Sequence, residues 1–268
     1  MHNLAVIGNL VKHSLSPQVF GLFANQCGVK LNYNKLTAAT TCEFNQQVQQ
    51  FFASGGTALN VTSPFKHDAY LLATQSTPRA KLCKTSNFLF MNNKQMTADT
   101  TDGIGLVTDI EVNNKYSLGN KNILIIGSGF VVDSILPDII VKNPATIKIL
   151  ARNNDKIVQL SSKFGVTEYQ TGSCYDVIIN TIPSNLENNL FAQITQIANN
   201  ALCYDLGYLE HNTYFHQCML KVNSQITCQN GLGMLVEQAA IAFSKLFNSA
   251  VNTQVVIDFI CQNGYYHD

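Results

Sequence analysis

The sequence predicts an α/β protein: an N-terminal α/β domain followed by a Rossmann-like, doubly wound parallel-sheet nucleotide domain. Three observations carry that reading. Strand-like and helix-like signals alternate along most of the chain. The run Asn122-Ile123-Leu124-Ile125-Ile126 is almost wholly apolar, as expected for a central parallel strand covered on both faces. Gly127-Ser128-Gly129 follows at once and leads into an apolar helical run, the order of a dinucleotide-binding turn. With 268 residues the chain can bury a substantial core and form one large domain or two small ones.

The first hundred residues justify an α/β unit of their own. Residues 4–8 form an apolar strand that ends in glycine. Ser16-Pro17 opens a helix, with the serine as N-cap and the proline in the first turn, running toward Cys27. Residues 33–36 suit a short strand, and residues 43–52 an amphipathic helix ending before Gly55-Gly56. A second apolar run, residues 57–62, reads as a strand with polar residues at its end. Pro64 begins a helix with Tyr70 and Leu71 facing inward, and residues 88–91 form a strand closed by an Asn92-Asn93 hairpin turn.

The second unit begins near Asp102. A helix is expected over 104–110, then the 122–126 strand and a helix over 130–140. Strands at 147–150, 175–180 and 201–205, with a helix at 155–164, continue the βαβ rhythm. Helices at 234–247 and 255–261 end the chain, and pattern alone leaves their position open.

Composition narrows the function classes. The formal net charge is zero, 13% of residues are charged, and no Lys/Arg-rich block occurs. A nucleic-acid groove therefore has no electrostatic basis. No apolar segment reaches membrane-spanning length. None of the eight cysteines forms CxxC, and most read as small core hydrophobes. The six histidines suggest no ligand set, so no metal is expected; His211 and His216 should face solvent or make local bonds, and His267 should be a mobile end. A reducing cytoplasm is the economical location.

Two places carry chemistry. Asn60-Val61-Thr62-Ser63-Pro64-Phe65-Lys66 sets polar residues at a strand end, where open α/β sheets hold ligands. Asp102 lies in a glycine-flanked turn 36 residues later. A lysine and an aspartate brought together can pass a proton and tune each other, as oxidation of a secondary alcohol requires. Two unrelated surface charges would give the same spacing. In the second unit, Gly127 permits the tight turn and Gly129 lets a pyrophosphate approach the backbone, while Val132 replaces the third small residue. Asp133 in the first helical turn should repel a phosphate. At the end of the next strand stands Arg152, where an acidic residue would read the ribose diol of NAD. It either makes paired bonds to a 2′-phosphate, favouring NADP, or is a surface arginine.

At this point the chain resembles the shikimate dehydrogenase family over nearly its whole length. Six segments carry the likeness: Gly8-Asn9 through His13-Ser14-Leu15-Ser16-Pro17; residues 60–66; Asn87; Thr101-Asp102-Gly103-Ile104-Gly105; Asp205-Leu206-Gly207-Tyr208 with Thr213; and Gly231-Leu232-Gly233-Met234 through Gln238-Ala239-Ala240. The resemblance implies reversible, NADP-dependent reduction of 3-dehydroshikimate to shikimate in aromatic biosynthesis, in a cleft between two domains. It implies a substrate domain of residues 1–101 completed by 236–268, and an NADP domain of 102–235. By the same likeness Lys66 and Asp102 bracket the reacting hydroxyl. Ser14 and Ser16, helped by Tyr208, hold the substrate carboxylate, and Thr62, Asn87 and Gln238 bind ring hydroxyls. Gly127, Ser128, Gly129, Arg152 and Gly231 would hold the cofactor. A monomer or a homodimer is consistent with it.

Departures from the family pattern concentrate on the cofactor side. Phe130-Val131 replaces a second glycine and an alanine, Ala151 replaces an asparagine, Thr100 another, and Glu210 a proline. Use of NAD, action on quinate, or a cyclitol-acid binding protein that has lost its cofactor are the alternatives.

Overall fold

The computed structural model describes residues 1–183, 189–208 and 213–263. Glu210, His211 and His267 lie outside the described residues. The chain divides into two compact units, one of Met1–Gly105 with Val236–Asp268, the other of Leu106–Leu235.

In the first unit the elements run β1 (His2–Gly8), α1 (Ser16–Cys27), β2 (Leu31–Thr37), α2 (Thr41–Ala53), β3 (Ala58–Val61), α3 (Lys66–Leu72), β4 (Gln75–Ser76), α4 (Pro78–Cys83), β5 (Phe88–Asn92) and β6 (Gln95–Asp99). They build a six-stranded sheet in the order β2-β1-β3-β5-β6-β4. β1 pairs in parallel with β2 and β3, while β5 pairs antiparallel with β3 and β6. Ala5, Ile7, Leu59, Val61, Leu89 and Ala98 bury one face of this sheet against Phe44, Val48, Phe65 and Ala69. The β5–β6 hairpin turns at Asn93 and Lys94, both with positive φ, as a two-residue loop of primed type demands. The turn therefore falls one residue later than the sequence suggests.

Local expectations need three corrections here. Leu15, not Ser16, is the N-cap of α1, and Ser16 is its first residue; Pro17 occupies the first turn as expected. Leu71 is exposed at 65%, because α3 starts at Lys66 and its inward stripe falls on Ala69 with Leu72. The α5 helix (Asp102–Thr108) begins two residues early and continues as a π-helical turn over Asp109–Asn113.

In the second unit β7 (Asn122–Ile126), α6 (Phe130–Ile140), β8 (Thr146–Leu150), α7 (Asn154–Phe164), β9 (Thr167–Glu168), β10 (Tyr175–Asn180), β11 (Ile197–Asp205), α8 (Tyr214–Val222) and β12 (Thr227–Asn230) follow in order. Their sheet is parallel throughout, in the order β12-β11-β10-β7-β8-β9. Ile123, Ile125, Val177 and Ile179 face one buried cluster, and Leu124, Ile126 and Ile178 the other. Both faces of β7 and β10 are thus covered, which is why these strands read as continuous apolar runs. The strand order reverses between β7 and β10, the switch point where such sheets hold ligands.

Two further helices end the described chain, α9 (Leu232–Phe247) and α10 (Thr253–Asn263). Phe243 of α9 packs at 6.1 and 5.6 Å from the rings of Phe20 and Phe23 in α1. Only Cys83 and Cys203 are buried among the eight cysteines, so most are not core residues. His216 is fully buried, with Nε2 3.0 Å from the Gln229 carbonyl, rather than solvent-facing. No helix among the described residues is long and apolar enough to cross a membrane.

Candidate active site

The site of the first unit is built where β1, β3 and β6 end and β5 begins. Gly8 closes β1 so tightly against the segment after β3 that an added Cβ would press on Thr62 and stand 3.3 Å from the Ser63 carbonyl. Thr62 N–H in turn donates to the Ile7 carbonyl at 2.9 Å. This close approach fixes Thr62 at the strand end and starts the short turn to Phe65, the N-cap of α3. Phe65 buries its ring on Phe44 at 4.8 Å, so Lys66 is held by a core anchor one residue away.

Lys66 Nζ donates to Asp102 Oδ2 at 2.8 Å, with side-chain exposures of 12% and 6%. The other carboxylate oxygen, Oδ1, accepts from Asn87 Nδ2 at 3.0 Å. Asn87 stands just before β5, and its Oδ1 accepts from the Thr101 backbone N–H at 2.8 Å. Its amide nitrogen also lies 2.9 Å from Thr101 Oγ1 and 3.0 Å from Gln238 Oε1. Thr101 Oγ1 donates to Gln238 Oε1 at 3.3 Å. Asn87, Thr101, Asp102 and Gln238 are all buried, so each polar contact here is made in a weakly screening environment. Gly105 lets α9 come this near: an added Cβ would sit 2.7 Å from Gln238 Cβ and 2.8 Å from its backbone nitrogen.

A second group of hydroxyls lies at the start of α1. Ser14 Oγ donates to Ser16 Oγ at 3.2 Å and accepts from the Ser16 N–H at 3.3 Å. Tyr33 of β2 joins them. Its hydroxyl donates to Asn60 Oδ1 at 2.7 Å; burial drives the phenol well above the usual tyrosine range, with a hydrogen bond to Ser16 opposing weakly. The sequence reading missed Tyr33, Asn60 and Thr101 as parts of this site. Asn60 and Thr101 stand inside the polar segments already singled out, so proximity to Lys66 and Asp102 was the available signal.

Tyr208 and Gly231 belong to the second unit. Gly231 N–H donates to the Gly207 carbonyl at 2.9 Å, which brings the segment of Tyr208 beside the start of α9. Any side chain at Gly231 would collide with the Leu206 backbone.

The turn after β7 is open and bounded by two glycines, the form a phosphate needs to approach backbone N–H groups. Gly127 has φ +111°, a conformation that favours glycine, and an added Cβ would collide with Thr181 and stand 3.0 Å from Ile182. Gly129 faces open space and is the N-cap of α6, without a side-chain cap, so the first N–H groups of the helix receive none from that residue. Ser128 lies between them. Val132 is fully buried in the core of the unit. Asp133 does not stand as a bare negative charge: it is buried, with Lys163 Nζ 2.8 Å from Oδ1 and Lys156 Nζ 3.6 Å from Oδ2. Lys156 also lies 5.2 Å from the centre of the Phe130 ring. Two ammoniums thus stand against one carboxylate, which offsets the repulsion of phosphate expected from Asp133 alone. Arg152 is exposed after β8 and lines an open pocket of about 550 Å³ with Asn153, Asn154 and Asp155. Lys156, four residues after Arg152, is a second basic group that the sequence reading did not credit.

Residues 6–89 match the family described as the shikimate dehydrogenase substrate binding domain. A shikimate dehydrogenase (NADP(+)) of Vesicomyosocius okutanii subsp. Calyptogena okutanii (strain HA) is 36% identical, covering 96% of this chain and 98% of that protein. The crystal structure of an Ael1 enzyme from Pseudomonas putida superposes with a TM-score of 0.86 at 29% identity, covering all of both chains. A shikimate dehydrogenase structure from Aquifex aeolicus shares the fold, with a TM-score of 0.86 at 21% identity and 98% of each chain covered. The full-length identity to these relatives, and the fold it accompanies, place the chain in the shikimate dehydrogenase family.

Proposed function

We propose that the protein is an NADP-dependent shikimate dehydrogenase, interconverting 3-dehydroshikimate and shikimate in aromatic biosynthesis. The observation that carries this reading is the part-buried Lys66–Asp102 pair, bonded through Asn87 to Thr101 and Gln238. In the direction of reduction the Lys66 ammonium donates a proton to the carbonyl oxygen; in oxidation the deprotonated Lys66 amine takes the proton of the hydroxyl and becomes the ammonium. A cation held beside an oxygen that gains alkoxide character lowers the barrier. Asp102 orients Lys66, and Asn87 occupies the second carboxylate oxygen so that the pair keeps one geometry. Asn87, Gln238 and Thr62 supply the mixed donors and acceptors that ring hydroxyls need. Ser14 and Ser16 supply hydroxyl donors for a carboxylate, and Tyr208 of the second unit is the remaining hydroxyl of the proposed set.

The residues present fit a dinucleotide. The open cradle at Gly127, Ser128 and Gly129 would hold its phosphates and Arg152 and Lys156 its 2′-phosphate, while Gly231, after β12, would allow a close backbone approach farther along the same sheet edge. When bound, NADP supplies the hydride acceptor for the alcohol carbon. Everything else in the proposed reaction falls to the side chains named above. Purified protein given shikimate and NADP should form reduced nicotinamide, and Lys66→Ala protein should bind shikimate while turning over far more slowly.

A further inference from the structure

Asp99 and Lys245 form an ion pair outside the reacting groups, at the junction of the two segments that carry them. Asp99 ends β6, three residues before Asp102, and is 3% exposed. Its Oδ1 accepts from Thr77 Oγ1 at 2.6 Å and from the Thr100 N–H at 2.9 Å, so it shapes the turn into α5. Its carbonyl accepts from Ser86 Oγ at 2.8 Å, next to Asn87. Its remaining oxygen, Oδ2, accepts from Lys245 Nζ. Lys245 belongs to the last turn of α9, and its ammonium lies 5.4 Å from the ring centre of Phe90 in β5. Gln238 precedes Lys245 by seven residues, two helical turns, so both fall on the same stripe of α9. At one end of that stripe the helix meets Asn87 and Thr101; at the other it meets Asp99.

We propose that Lys245 is a positioning residue: its bond to Asp99 sets the register of α9 against the β5–β6 hairpin, and thereby places the Gln238 amide on Asn87 and Thr101. The physical reasoning is one of shared support. A helix can slide or turn on an apolar face at small cost, since dispersion contacts are numerous but undirected. A directed ion pair to a buried carboxylate removes that freedom, and losing Lys245 leaves Asp99 buried without its cation. Here the same carboxylate also holds the Thr100 N–H, so the helix carrying Gln238 and the turn carrying Asp102 are tied to one residue. The proposal rests on the proposed shikimate dehydrogenase activity only for its kinetic readout.

The test compares Lys245→Met, which keeps the aliphatic stem, with Lys245→Arg, which keeps the charge. Lys245→Met should raise the KM for shikimate by about fivefold to tenfold, the size of a coupling between residues sharing one network, with the KM for NADP unchanged. Lys245→Arg should restore it. In a Gln238→Ala background, Lys245→Met should change the KM by less than about twofold, because the residue it positions is gone. Additive effects in that double variant, or an equal rise in both KM values, would overturn the proposal. A readout without substrate separates this from failure of the proposed activity. In ligand-free protein, Lys245→Met should shift the side-chain amide resonances of Asn87 and Gln238, and Lys245→Arg should not. Unshifted amides in folded Lys245→Met protein would overturn the inference even if shikimate oxidation is fully confirmed; shifted amides would support it even if shikimate is not the substrate.

Discussion

Lys66 and Asp102 meet at 2.8 Å across 36 residues of sequence, and neither side chain is more than 12% exposed. The contact depends on two helix starts. Lys66 is the first residue of α3 and Asp102 the first of α5. A carboxylate at a helix N-terminus is favourable by the helix dipole, while an ammonium at one is not. Asp102 therefore offsets the unfavourable placement of Lys66 and keeps it aimed at the end of the sheet, where a substrate oxygen is proposed to lie.

Replacing Lys66 by alanine should lower kcat by about 10²- to 10⁴-fold, the range for loss of a positioned acid–base group. The affinity for shikimate, measured by titration calorimetry, should fall much less, because the proposed ring-hydroxyl contacts come from Asn87, Thr62 and Gln238. A kcat close to that of the unaltered protein would remove Lys66 from the mechanism.

Arg152 should favour NADP over NAD, with Lys156 contributing beside it. The expected result for Arg152→Ala is a drop of roughly tenfold in the ratio of kcat/KM for the two cofactors, the worth of one charge-assisted bond to a phosphate. Adding Lys156→Ala should lower the ratio further. A ratio that stays constant in both variants would show that the 2′-phosphate is read elsewhere.

Asp133 holds Lys163 and Lys156, and so competes with a cofactor phosphate for the same ammoniums. Asp133→Asn should tighten NADP by a factor of about two to ten, the scale of a single charge near a helix N-terminus, and leave shikimate affinity unchanged. Calorimetry at low and high salt checks the origin, since a partly exposed charge effect should shrink as salt rises. Weaker NADP binding in a variant with an unaltered melting curve would mean that Asp133 instead holds the lysines in their binding positions.

Alkaline pH should destabilise the fold. Burial raises the Tyr33 and Tyr204 phenols above their ordinary 10.0, with Asp109 adding to the effect at Tyr204, and raises the Cys203 thiol above its ordinary 9.0. The folded chain keeps these protons while the unfolded chain releases them. Their contribution to stability is thus complete below the ordinary values and is lost as pH rises through and beyond them. The urea midpoint should fall steadily between about pH 8.5 and about pH 10.5, and Tyr33→Phe should flatten the fall. A midpoint that is level across this interval would contradict the burial of these groups.

The strands of the second sheet were legible because burial on both faces leaves a continuous apolar run, as in residues 122–126. The Lys66 and Asp102 segments stood out as polar residues at a strand end and in a glycine-flanked turn, but spacing alone left two unrelated surface charges open, and the family likeness paired them. Short strands were not. β4, β9 and β12 comprise two to four residues each and pair at sheet edges, where hydrophobic periodicity has no room to show. Leu71 was misplaced because successive helical residues point about 100° apart, and the face of α3 that packs is the one that carries Ala69. His216 and the cysteines were misjudged because burial is decided by neighbours distant in sequence; His216 bonds to Gln229, and Cys42, Cys174 and Cys261 lie outside any core. The lysines on Asp133 were hidden for the same reason, since they come from α7. Gln238 was placed by family likeness alone, and its bonds to Asn87 and Thr101 required the fold.

The most direct measurement is the rate at which purified protein forms reduced nicotinamide from shikimate and NADP, compared with Lys66→Ala protein of unaltered melting behaviour. The account predicts steady turnover that saturates in both substrates, and a loss of about 10²-fold or more in the variant. Folded protein that binds shikimate and NADP yet forms no reduced nicotinamide, or a variant as active as the parent, would contradict it.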